Sequence, residues 1–174
     1  MAETPAQPLR VMGVDTSLRS SGIGILDVAG SAFTPVYYGI IKNPQGMPLS
    51  ACLLHIREEM ERLIAEYAPH AVAIEGIFYG KNVKTSLLLA HARGVVVSTC
   101  AARAIPVFEY EPRRVKQAVV GYGNAEKAQV QRMIRALLGL DELPQNDAAD
   151  ALALALTHCH CRTGVAVLQT VNLV

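Results

Sequence analysis

The chain has 174 residues, 51% of them apolar, and a formal net charge of only +1. That length suits one domain, which buries roughly 70% of the surface its unfolded chain exposes, so the apolar content can fill a proper core. No apolar run reaches the roughly 18 residues of a membrane span, and four cysteines in so long a chain exclude a disulfide scaffold.

Residues 1–8 hold two prolines and a glutamate and lack the basic start and apolar stretch of a signal peptide, so they read as a flexible arm of a cytoplasmic protein with reduced thiols. Leu9 to Asp15 is an apolar run that ends in an acid and reads as a buried strand. Gly22 to Val28 is a second strand, joined to the first by the polar turn 16–21. Pro35 to Lys42 is a third. Apolar residues then recur at helical spacing from Leu49 to Tyr67, and Pro69 stops that helix. Ala71 to Glu75 is a short buried strand, again closed by an acid. Val83 to Arg103 reads as a long helix and Ile105 to Tyr110 as a fifth strand. Pro112 opens a short helix that ends at Gly121. Asn124 is the expected cap of the next, which runs to Leu138, and a last helix spans Asp147 to His160.

The order β-β-β-α-β-α-β-α-α-α predicts an α/β domain over 9–163, with a mixed five-stranded sheet and helices on both faces. This is the order of the ribonuclease H-like fold, which hosts many activities, so the site must decide function. The tail from 164 to 174 is apolar and of unknown order.

Charge is unevenly placed. Residues 76–135 carry ten basic and three acidic residues, whereas 1–75 and 136–174 are each net acidic. A basic middle between acidic ends suits a protein that grips a polyanion centrally and holds metal with its flanks; a solvated basic face is the plainer alternative. The flanking acids that matter are Asp15 and Glu75, each at the end of a buried strand, and Asp147 and Asp150, three apart on one face of the last helix. Four gathered carboxylates would repel one another and their pKa values would rise. Divalent metal relieves that repulsion, and oxygen-only ligands favour Mg²⁺ or Mn²⁺. Two ions roughly 3.5–4 Å apart could activate a water and stabilise a leaving oxygen in phosphodiester cleavage. Taken singly, each acid could also be an ordinary strand-end or helix-start residue.

Phe78 and Tyr79 lie just past Glu75 in a segment with Gly76, Gly80 and Lys81, where an aromatic could stack on an unpaired base or simply pack into the core. Lys81, Lys84, Arg113, Arg114, Lys116 and Lys127 are candidate phosphate contacts; Arg132 and Arg135 fit a solvated helix face better. The helix from Val83 is apolar on more than one side, as expected if one side meets the sheet and the other a second subunit or the tail. His158, Cys159, His160 and Cys161 follow one another on a helix and point different ways, which is poor geometry for zinc.

The stretches GVDTSLRSSGIGIL, AIEGIFYGKNVKTSLLLAHARG, PVFEYEPRRVKQAVVGYGNAEKAQVQRMIRALLGL and NDAADALALALTHCH resemble, in order and spacing, the successive motifs of the bacterial RuvC family over about residues 10–161. The resemblance implies a Mg²⁺-dependent homodimeric Holliday-junction endodeoxyribonuclease of DNA recombination and repair. It implies that Asp15, Glu75, Asp147 and Asp150 are the metal-binding catalytic acids, serving two ions per site. Phe78 would then recognise the junction, Lys116 and Lys127 would lie near the scissile strand, and the protein would work with the RuvA–RuvB branch-migration complex. The chain departs from the family at Thr16–Ser17, where members often have proline and glycine, and in its tail. Readings from other classes are a nuclease of RNA–DNA hybrids, a junction-binding scaffold without cleavage, and an actin-like ATPase, for which 174 residues are too few.

Overall fold

The computed structural model describes residues 8–76, 83–162 and 172–174. Its elements are β1 (Leu9–Asp15), β2 (Ser20–Ala29), β3 (Ala32–Lys42), α1 (Leu49–Tyr67), β4 (Ala71–Glu75), α2 (Val83–Ala101), β5 (Val107–Tyr110), α3 (Pro112–Val120), α4 (Lys127–Leu138), α5 (Asn146–Arg162) and β6 (Asn172–Leu173). The strands lie in the order β3-β2-β1-β4-β5-β6. β1 to β3 form an antiparallel meander, β1, β4 and β5 run parallel, and β6 returns antiparallel on β5. The five expected strands and five helices form, in the α/β arrangement expected of a ribonuclease H-like domain.

Three details differ from the sequence reading. The two-residue β6 comes from the tail, whose weak pattern gave no strand signal. The cap of α4 is Glu126 rather than Asn124: its backbone N–H donates to the Gln129 side chain at 2.8 Å, two residues further along than a turn residue would suggest. α5 is buried nearly all round, from Ala148 to Cys159, well beyond the shared face of Asp147 and Asp150 that its spacing marked.

Strand alternation assigns each side chain to a face. Val11, Leu26, Val28, Ala73 and Tyr110 join α3, α4 and α5 in one core. Met12, Val14, Ile23, Ile25, Val72 and Ile74 join α1 and α2 in the other. On the first face α5 lies very close to the sheet. A Cβ at Gly13 would collide with the carbonyl of Ala151, one at Gly22 with the carbonyl of Asp147, and one at Gly24 would stand 2.6 Å from the Leu152 nitrogen. Only glycine permits this approach. The α2 helix turns Ala92, Arg93, Val96, Thr99 and Cys100 inward and leaves Val83 and Leu87 exposed.

Candidate nucleic-acid cleavage site

Period-two alternation explains why the strand-end acids face α5. Asp15 follows Val11 and Gly13 on that face, and Glu75 follows Ala71 and Ala73. The β1–β4 register pairs Val14 with Ile74, so the two acids emerge side by side at the carboxyl ends of parallel strands. The glycine seat of α5 then sets the height of its first turns, which carry Asp147 and Asp150. Asp15, Glu75 and Asp150 line one cavity of about 170 Å³ with Lys116, Lys127 and the apolar wall of Val115, Val130 and Leu154. At roughly 30 Å³ per water, that space takes a few hydrated groups.

The electrostatics follow from crowding. Burial, with Asp150, Glu75 and Asp147 nearby, pushes the Asp15 carboxyl up to about 7, opposed only by Lys127. Burial and Asp150 also raise Glu75, against Lys127 and Lys116. Lys127 Nζ stands 2.7 Å from Asp150 Oδ2, and this pairing raises the lysine. Asp147 accepts a hydrogen bond from Ser20 Oγ at 2.5 Å. Among the described residues no group of three or more His, Cys, Asp or Glu stands ready-made as a metal cluster. The donor set still fits a hard divalent ion: all its ligand atoms are oxygens, the carboxylates repel one another, and a lysine ammonium already serves as partial counter-charge.

Of the basic candidates, Lys116 and Lys127 reach this cavity. Lys84 and Arg113 are exposed near it in sequence on α2 and α3. The Arg114 guanidinium lies 5.9 Å from the centre of the Tyr110 ring and 3.6 Å from Cys161 Sγ. Phe78, Tyr79 and Lys81 lie outside the described residues. His158 hydrogen-bonds Tyr110 Oη through Nδ1 at 2.7 Å, Cys161 also meets the Tyr110 side chain, and the His160 ring lies edge-on to Phe33.

Sequence reasoning missed three partners. Ser20 and the Lys127–Asp150 pair leave no trace in local spacing. Arg93 does: a basic residue inside an apolar helical block, between Ala92 and Gly94, signals a buried ion pair. It pairs with Glu109 and donates to the Glu75 carbonyl.

Comparison with known proteins agrees with this geometry. The family described as crossover junction endodeoxyribonuclease RuvC matches residues 11–158. A protein of that description from Syntrophomonas wolfei is 46% identical over 153 residues, 87% of this chain and 89% of its own length. The RuvC structure from Thermus thermophilus superposes with a TM-score of 0.83 at 30% identity, covering 95% of this chain and 99% of that one. The same organism's RuvC in complex with a Holliday junction substrate gives 0.83 at 27% identity, with the same coverage. With its motifs in order, its strand-end acids side by side and its whole fold shared with these relatives, the chain belongs to the RuvC family.

Proposed function

We propose that the protein is an endonuclease that resolves four-way DNA junctions by paired, symmetric nicks, acting in recombination and repair in the cytoplasm. The observation that carries this reading is the convergence of Asp15, Glu75 and Asp150 on one cavity, with Asp147 close enough to raise Asp15 further. The relative solved with a Holliday junction supports the choice of substrate.

Asp15, Glu75, Asp147 and Asp150 would hold Mg²⁺ or Mn²⁺, two ions per site. Such ions supply an activated water and stabilise charge on the departing oxygen. The chain's own residues do the rest. Burial and the neighbouring acids raise the Asp15 carboxyl, and a bound cation would relieve that crowding. Lys127 leaves Asp150 for a phosphate oxygen as DNA arrives, and Lys116 meets the same strand from α3. Lys84, Arg113 and Arg114, with Lys81, extend the phosphate grip. Phe78 and Tyr79 would stack on bases opened at the crossover. The exposed Val83 and Leu87 side of α2 would form a two-fold dimer face, matching the two equivalent strands of a junction. A RuvA–RuvB complex would deliver the junction.

The test is to offer a mobile four-way junction, a linear duplex and an RNA–DNA hybrid, each with Mg²⁺. Symmetric nicking of the junction, with the duplex cut far less, is the expected result. Asp150→Asn should abolish cutting and keep junction binding. Preferential cutting of the hybrid would overturn the substrate assignment.

A further inference from the structure

Arg93 is 8% exposed, on the inner side of α2 beside Ala92 and Val96. A guanidinium at such a place is costly unless its donors are used. One arm, Nη2, pairs with the Glu109 carboxylate of β5. The other, Nη1, donates to the backbone carbonyl of Glu75 at 2.8 Å. From these contacts we propose that Arg93 is a positioning residue for Glu75, and that Glu109 aims it. The proposal rests on the reading of Glu75 as a working acid of the cleavage site.

The surrounding geometry explains why β4 needs a second hold at this end. Along Val72–Ile74 the strand is flanked by β1 and β5, so its backbone is fixed from both sides. The β1 register runs only as far as Val14 and Ile74. Glu75 and Gly76 keep only β5: Glu75 is in register with Tyr110, and the Gly76 N–H donates to the Tyr110 carbonyl at 2.9 Å. The Glu75 carbonyl is where Arg93 takes over. Glu109 presses close as well, since a Cβ at Gly76 would stand 2.8 Å from its Oε1. Residue 76 thus admits no side chain while the pair is in place.

The fork of the guanidinium matters here. Its donors are planar and fixed relative to one another, so holding Glu109 with one arm dictates where the other arm sits. A lysine ammonium could neutralise Glu109 but could not set both bonds at once. Arg93 belongs to α2, Val83–Ala101. One side chain links α2 to the acid at the end of β4.

A buried pair of this kind adds little stability over an apolar pair of similar size. That allows stability and placement to be separated. The experiment compares wild type, Arg93→Lys, and the double variant Arg93→Met with Glu109→Gln, which removes both charges. Four quantities are read: thermal unfolding, junction binding in Ca²⁺, Mn²⁺ binding by calorimetry without DNA, and single-turnover cleavage at saturating junction. Small misplacement of a reacting group costs on the order of a hundredfold in rate. We expect both variants to melt close to wild type and to bind junction as it does. Their cleavage rates should fall by roughly ten- to a hundredfold, with weaker Mn²⁺ binding. If the double variant does not fold, Arg93→Lys carries the test, because it keeps a positive charge on Glu109. Wild-type rates and Mn²⁺ affinity in the folded variants would overturn the proposal. Glu75→Gln is run alongside: its cutting at the wild-type rate would instead remove the functional reading, and the proposal with it.

Discussion

On one face of the sheet α5 approaches so closely that Gly13, Gly22 and Gly24 meet its backbone directly. On the other, α1 and α2 meet the sheet through Ile56, Met60, Leu63, Ala92 and Val96, packed against Met12, Ile23, Ile25 and Ile74. At those three glycines no side chain stands between strand and helix to adjust. The second is built of flexible and branched side chains that can repack around a change of volume. The acids sit on the first face. Asp147 and Asp150 ride on the helix whose position has the least slack, and Asp15 and Glu75 project from the strands beneath it. Placement of the site is thus delegated to the contact that cannot drift, and bulk stability is shared with the one that can.

The largest effect should come from Gly22→Ala. The new methyl meets the backbone carbonyl of Asp147, so α5 must shift. Overpacking against backbone should cost upwards of about 3 kcal/mol, and cleavage should fall in the molecules that still fold. Equal activity per folded molecule would break the distinction between the faces. Next is Met60→Ala, at a wholly buried position on the opposite face. It should cost about 2–5 kcal/mol of stability, read by urea unfolding, with cleavage per folded molecule unchanged.

A smaller, pH-dependent effect belongs to Asp15. Its folded pKa of about 7 lies above the ordinary value of 3.8. Between those values the metal-free folded state binds more protons than the unfolded one, so its stability falls as pH rises through the window. Asp15→Asn in a chelator should therefore flatten the fall between pH 5 and pH 8 and melt higher than wild type at pH 8. Added Mg²⁺ should raise the wild-type melting temperature more at pH 8 than at pH 5.5, since cation and proton compete for the same oxygens. A wild-type melting temperature that rises from pH 5 to pH 8 in chelator would contradict this account. The smallest effect is Arg57→Ala. The Arg57–Glu61 pair is exposed on the outer side of α1, and its loss should cost under about 0.5 kcal/mol, with no change in cleavage.

Much of this was legible in the chain itself, for identifiable reasons. Asp15 and Glu75 stand out because each ends a short apolar run, and a charge at that point can only mark where a buried strand emerges. The helices show through their periodicity and through Pro69, Pro112 and Gly121. What stayed hidden depends on neighbours distant in sequence. Gly13, Gly22 and Gly24 read only as small strand residues until α5, more than a hundred residues away, is laid across them. Ser20 and Asp147 are separated by 127 positions. Lys127 is recognisable as a basic residue but not as the partner of Asp150. At α4 the error was local: Asn124 has the better capping side chain, yet the helix starts later, where Glu126 and Gln129 satisfy each other's end of the turn.

The sheet's two borders have a bearing on solubility. A border strand offers unpaired N–H and C=O groups to any passing strand, which is how sheets of separate molecules join. β3 blunts its border with Pro35, which has no N–H to give, and with an irregularity opposite Ile25 and Leu26. β5 has only four residues and carries Phe108, a poor group to leave beside an open ladder. There β6 serves as the stopper: Leu173 pairs with Phe108, and the Val174 N–H donates to the Val107 carbonyl at 3.0 Å. Residues 172–174 thus cover the Val107–Tyr110 ladder, and a change that detached them would open that ladder to strands of other molecules.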